Sequence, residues 1–144
     1  MTSTATEQIT VIPYDGKTHY GMLREWWRFH GYPPPSSELL RHGGVALNDE
    51  GEPIVAYFIY FSMDVPVAHT QFVVSKPKNK PRATKDGALA IINFFEDMCK
   101  AGGYKVLLTH CPSRLTPYIE EAGFEIADYS AASCVKKMEG VELW

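Results

Sequence analysis

At 144 residues the chain is long enough for one domain with a substantial core, and its 45% hydrophobic and 22% charged residues are ordinary for a globular protein. A net charge of −3 leaves no whole-chain cationic footprint for nucleic acid or a membrane surface, and no apolar run approaches the roughly 20 residues of a membrane span. The three cysteines, Cys99, Cys111 and Cys134, form no CxxC pair, which argues against a disulfide framework or zinc cluster and for a reducing, cytoplasmic compartment.

Residues 1–7 read as a disordered leader and 8–144 as a single domain; the polar start lacks the basic and apolar regions of a secretory signal. A short strand around Ile9 and Val11 stops at Pro13. A helix follows from about Lys17 to His30, with Leu23, Trp26, Trp27 and His30 at helical spacing. Gly31 ends it, Tyr32-Pro33-Pro34-Pro35 makes a stiff connector, and Ser36 or Ser37 can cap a short helix ending near Arg41. Strands over Val45–Asn48 and Pro53–Ser62 flank the turn Asn48-Asp49-Glu50-Gly51. The run Ile54 to Phe61 has no polar alternation, the pattern of a central strand covered on both faces.

Another strand spans Val67–Ser75. A basic segment, Lys76 to Asp86, then leads into an amphipathic helix that buries Ala88, Ile91, Ile92, Phe95, Met98 and Cys99 and ends at Gly102-Gly103. Val106–Thr109 is the next strand and 113–122 a short helix; Phe124–Asp128 and Ala132–Met138 complete the set as two strands. The strand–helix–strand unit over 67–109 should be a right-handed crossover with parallel strands. The fold class is therefore α/β, with a mixed, mostly antiparallel sheet, a central βαβ crossover and helices on both faces.

This order, from about residue 9 to 138, resembles the GNAT superfamily of N-acetyltransferases. Arg82-Ala83-Thr84-Lys85-Asp86-Gly87 is similar to that family's Q/R-x-x-G-x-G/A phosphate segment, with Lys85 in place of the first glycine. Tyr118 to Phe124 is similar to its Y-x-x-x-G-F ending, with Ile119 in the tyrosine register and Tyr118 one place early. The Trp-rich first helix, proline connector, Val-Val-Ser and Cys-Pro-Ser together look most like small phage-encoded GNAT-like proteins, which would place the chain in a host cytoplasm.

The resemblance implies an acyl-coenzyme A site. The pantetheine arm of acetyl-coenzyme A would enter between two splayed strands as a pseudo-strand, against the backbone of Val73, Val74 and Ser75. Arg82, Ala83, Thr84, Lys85, Asp86, Gly87 and Ala88 would hold the phosphates at a helix N-terminus. Five cations within ten residues, Lys76, Lys78, Lys80, Arg82 and Lys85, suit that role, although the same run also reads as a solvated loop. The resemblance also implies a general acid for the leaving thiolate, Tyr118. His69 is the candidate base, sharing one strand face with Gln71, which cannot take a proton. Trp27, His30 and Tyr32 lie where such enzymes shape the acceptor pocket, one of the two tryptophans being core. Cys111 follows a strand end, where either a nucleophile or an inert thiol fits.

Three functions follow. The first is N-acyl transfer to a small-molecule or protein amine, as a monomer or homodimer. The second is a GNAT-like module that binds a protein partner without turnover. The third, nucleic-acid binding through Lys76 to Lys85, is disfavoured by the acidic balance of the chain.

Overall fold

A computed structural model of the chain describes residues 8–110 and 115–127, together with Lys136 and Met138. Five strands form one sheet in the order β1 (Thr10–Pro13), β2 (Gly43–Leu47), β3 (Pro53–Phe61), β4 (Val67–Ser75) and β5 (Val106–Thr109). Neighbours from β1 to β4 are antiparallel, and β4 pairs with β5 in parallel. The helices are α1 (Gly16–Phe29), α2 (Pro81–Gly102) and α3 (Thr116–Glu121), with a 3-10 turn at Ser37–Leu39. This is the mixed, mostly antiparallel architecture expected, with α2 as the crossover between the parallel strands.

The apolar run in β3 is explained by cover on both faces. Val55, Tyr57 and Ile59 point towards α2 and pack with its Ala88, Ile91, Ile92 and Phe95. Ala56 and Phe58 point the other way, into a cluster with Leu23, Trp26 and Trp27 of α1 and with Tyr14. Each large side chain removed from water in these layers stabilises the fold by about 1.5–3 kcal/mol. The β2–β3 turn closes as its sequence suggests. The Asn48 side chain accepts hydrogen bonds from the N–H groups of Glu50 and Glu52 at 2.9 and 3.0 Å, and Gly51 takes a φ of 76°.

α1 is preceded by Asp15, whose carboxylate accepts the Thr18 hydroxyl at 2.6 Å; that bond holds its pKa below the usual value. Both tryptophans of α1 are core, with Trp27 stacked near Phe58 at 6.3 Å between ring centres. The sequence had left one of the pair to line a pocket. The short helix expected near Arg41 is one 3-10 turn, with the Ser36 hydroxyl accepting from the Glu38 N–H, because Leu40 is already extended on the way into β2.

α2 begins at Pro81, several residues before the start suggested by its apolar face. Proline suits the first helical position because its missing N–H would have no helical partner there. The Thr84 N–H already donates to the Lys80 carbonyl at 3.0 Å. At the far end Gly103, with a φ of 79°, terminates the helix as the glycine pair predicts.

Residues 124–127 are described without strand structure. Lys136 and Met138 are likewise described without strand structure; the rest of the two final expected strands, the leader 1–7, Cys111 and Cys134 lie outside the described residues. Among the described residues no helix is long and apolar enough to cross a membrane.

Candidate functional site

β4 has two unlike halves. Val67 to Thr70 pair with Val106 to Thr109 of β5, and the pairing ends there. β4 runs on for five more residues, and among the described residues no strand pairs with its outer edge from Gln71 to Ser75. A bulge separates the halves. Gln71 lies opposite Phe58 and Val74 opposite Ala56, so Phe72 and Val73 together face Tyr57. Phe72 adopts a φ of 62°, a left-handed conformation that costs a bulky residue energy and occurs where a bulge re-aims a strand.

The backbone directions beyond the bulge follow from one bond. The Lys76 N–H donates to the Ile54 carbonyl of β3 at 2.8 Å. Residue 76, and with it Val74, therefore faces β3, and by alternation the N–H and C=O groups of Val73 and Ser75 face the open edge. One of these edge groups is engaged: the Nε2 of His30, at the end of α1, lies 2.9 Å from the Ser75 carbonyl oxygen and 3.5 Å from its Oγ.

The chain leaves β4 through a tight turn at Lys76–Asn79, with Lys78 at a φ of 60°, and enters α2. The Asn79 side chain donates to the Thr84 hydroxyl at 3.0 Å and fastens this turn to the helix. With Pro81 lacking an N–H and Thr84 already bonded to Lys80, the N–H groups of Arg82 and Ala83 are those the helix ladder leaves for a ligand. Thr84 to Ala88 are wound into the helix and do not form an open loop. Gly87 serves packing: a Cβ there would lie 2.8 Å from Val55 Cγ2 and 3.4 Å from Ala46 Cβ, so it lets α2 sit close on the sheet.

The five cations are differently committed. Lys76 pairs with Glu52 at 3.1 Å, and Arg82 approaches Asp86 at 3.9 Å with its side chain 72% exposed, so that pair holds it loosely. Lys78 and Lys80 make no ion pair among the described residues. Lys85 reaches towards α3. Its ammonium is 2.9 Å from Glu121 and 5.1 Å from the centre of the Tyr118 ring. The Glu121 hydrogen bond raises its pKa above the ordinary lysine value. Tyr118 is half-buried and Ile119 buried, so the two α3 side chains point in different directions, as their one-residue offset implies.

His69 is exposed on the α1 side of β4, stacked on Tyr60 at 5.2 Å. Burial, with Tyr14 nearby, pushes the Tyr60 hydroxyl far up, so Tyr60 remains neutral and donates to the Leu39 carbonyl at 2.7 Å. On the opposite face, at the last β4–β5 rung, the hydroxyls of Thr70 and Thr109 are hydrogen-bonded, with the Tyr57 hydroxyl 3.5 Å from Thr109. Tyr32 is 52% exposed, and its N–H donates to the Trp27 carbonyl at 2.9 Å. Cys99 is buried, and burial pushes its thiol up, so it is no nucleophile. No group of side chains suited to a metal ion occurs among the described residues. The sequence missed the Thr70–Thr109–Tyr57 cluster and the His30–Ser75 contact, both made between residues distant in the chain.

No family model matches the sequence, and no curated protein matches it either. Solved structures do. A Trypanosoma brucei acetyltransferase superposes with a TM-score of 0.62 at 14% identity, covering 89% of this chain and 100% of its own. Glucosamine-6-phosphate N-acetyltransferase from Arabidopsis thaliana gives 0.61 at 13% identity, over 92% and 100%. The fold is that of the GNAT acetyltransferases. An aminoglycoside N-acetyltransferase in complex with coenzyme A matches at 0.58 and 16% identity, over 94% of this chain and 99% of that one.

Proposed function

We propose that the chain is an acyl-coenzyme A-dependent N-acyltransferase that moves an acetyl group from acetyl-coenzyme A to an amine. The observation that carries this reading is the open half of β4, with Val73 and Ser75 facing outwards, ending beside the cationic start of α2. An extended ligand bearing amides can add to such an edge as a strand does. A polyphosphate fits the uncommitted N–H groups of Arg82 and Ala83 and the side chains of Lys78, Lys80 and Arg82.

Bound acetyl-coenzyme A would supply a thioester whose acetyl carbon the acceptor nitrogen attacks as the thiolate leaves. The chain's part is chiefly to hold the two reactants together. Outward N–H groups just past the bulge polarise the thioester carbonyl. His69, exposed on the α1 side, takes the proton that the amine must lose, directly or through one water. The Tyr118 hydroxyl returns a proton to the sulfur. The acceptor, a small molecule or a protein amine, enters from the α1 side near His69 and Tyr32.

Two observations favour a second reading, a coenzyme-binding module without turnover. Thr84 to Ala88 are committed to the helix, and the ammonium of Lys85 is held by Glu121. Calorimetric titration with acetyl-coenzyme A, with mass spectrometry on a broad panel of amines, separates the two. The enzyme predicts saturable binding, a raised melting temperature and acetylated amine; binding alone supports the module. Arg82→Ala is expected to weaken binding about tenfold without lowering the melting temperature. The absence of any thermal shift at millimolar coenzyme A sinks both readings.

A further inference from the structure

We infer that His30 sets donor affinity by occupying the edge carbonyl of Ser75 that the coenzyme arm needs, an assignment that rests on the acyl-coenzyme A reading above. The family resemblance implies a place for His30 on the acceptor side. The structure puts its Nε2 2.9 Å from the Ser75 oxygen, on the open edge of β4. The second lone pair of that carbonyl does not relieve the conflict. A neighbouring strand or strand-like ligand runs about 4.7–4.9 Å from β4, and an imidazole 2.9 Å from the carbonyl oxygen intrudes on that space. The ring donates where an incoming amide N–H would donate.

The imidazole is free to leave. His30 is exposed at the C-terminal cap of α1, with Gly31 next to it at a φ of 81°. Its ring contact is the edge of Phe29 at 5.4 Å, and Phe29 is itself 55% exposed. Nothing in either core layer moves when the ring swings out. His30 is thus an affinity-setting residue of the donor groove.

The test compares the full-length wild type with His30→Ala and His30→Gln by calorimetric titration with coenzyme A, alongside melting curves without ligand. His30→Ala is expected to bind about fivefold more tightly, the fold-change of one ordinary hydrogen bond no longer displaced, while melting slightly lower without ligand. His30→Gln keeps an N–H donor at similar reach and is expected to bind like the wild type. Equal or weaker binding by His30→Ala, with the wild type still binding, overturns the assignment and leaves the acyl-coenzyme A reading intact. If none of the three proteins binds coenzyme A, that reading fails and the role of His30 fails with it.

Discussion

The two halves of β4 differ in what surrounds them more than in composition. Val67 to Thr70 pair with β5 along one edge, and Ala68 to Thr70 with β3 along the other. Gln71 to Ser75 keep β3 on one side and present an open edge on the other. The paired half holds the sheet together, and the open half is the part with bonding capacity to spare. Edges of this kind are normally covered or charged to prevent unwanted pairing. Here His30 sits at Ser75 and a cationic turn follows immediately.

The comparison breaks most visibly if the same residue is placed in each half. Thr70→Pro removes a ladder N–H and a fully buried hydroxyl, so denaturant unfolding should show a loss on the order of 3 kcal/mol. Ser75→Pro removes an outward N–H and a hydroxyl 3.5 Å from His30, and its stability cost should remain within about 1 kcal/mol. Its effect should appear as weaker coenzyme A binding, and equal stability losses for the two variants would end the distinction. Gly87→Ala probes the packing beneath the open half. The added methyl meets the buried Val55 at 2.8 Å, and this crowding should outweigh the helix-propensity gain for a net loss of about 1 kcal/mol in the same measurement.

The smallest effect concerns the tie between α2 and α3. The folded-state pKa of Lys85 is raised, so its contribution is fully present below the unfolded value near 10.5 and is lost as pH rises through the folded value. Melting of the wild type and Glu121→Gln should therefore differ slightly at neutral pH and converge well above pH 10.5. A gap that persists there would show that Lys85 is not the partner that matters.

Much of the fold was legible because it depends on periodicity. The unbroken apolar run of β3 told of cover on both faces, and the α2 stripe named its own buried residues. The bounds of β4, Val67 and Ser75, were set by flanking turn residues and were read correctly. The candidate site was less legible. Pro81 looked like part of a loop because proline serves a loop and a first helical turn equally well. Nothing in Gln71-Phe72-Val73 announces a bulge, since Phe72 carries none of the freedom that glycine would advertise. The tryptophan pair could not be divided by spacing because α1 buries adjacent positions at the edge of its apolar stripe. His30 and Ser75 are 45 residues apart, and no local pattern links them.

The bulge at Phe72 also changes the phase of the strand. Before it, Ala68 and Thr70 turn their side chains to the α2 layer; after it, Val74 belongs to the α1 layer. One extra residue has reversed which layer the even positions face. Deleting that one extra residue would straighten the strand and leave Val73, Val74 and Ser75 opposite the same β3 partners and in the same layers, whereas a deletion in the regular stretch Ala68–Thr70 would exchange the inward and outward side chains on one side of the cut. An insertion within the Lys76–Asn79 turn would leave both layers in phase. Length variation is therefore tolerable at the bulge and in the turn, and ruinous in the regularly paired half of β4.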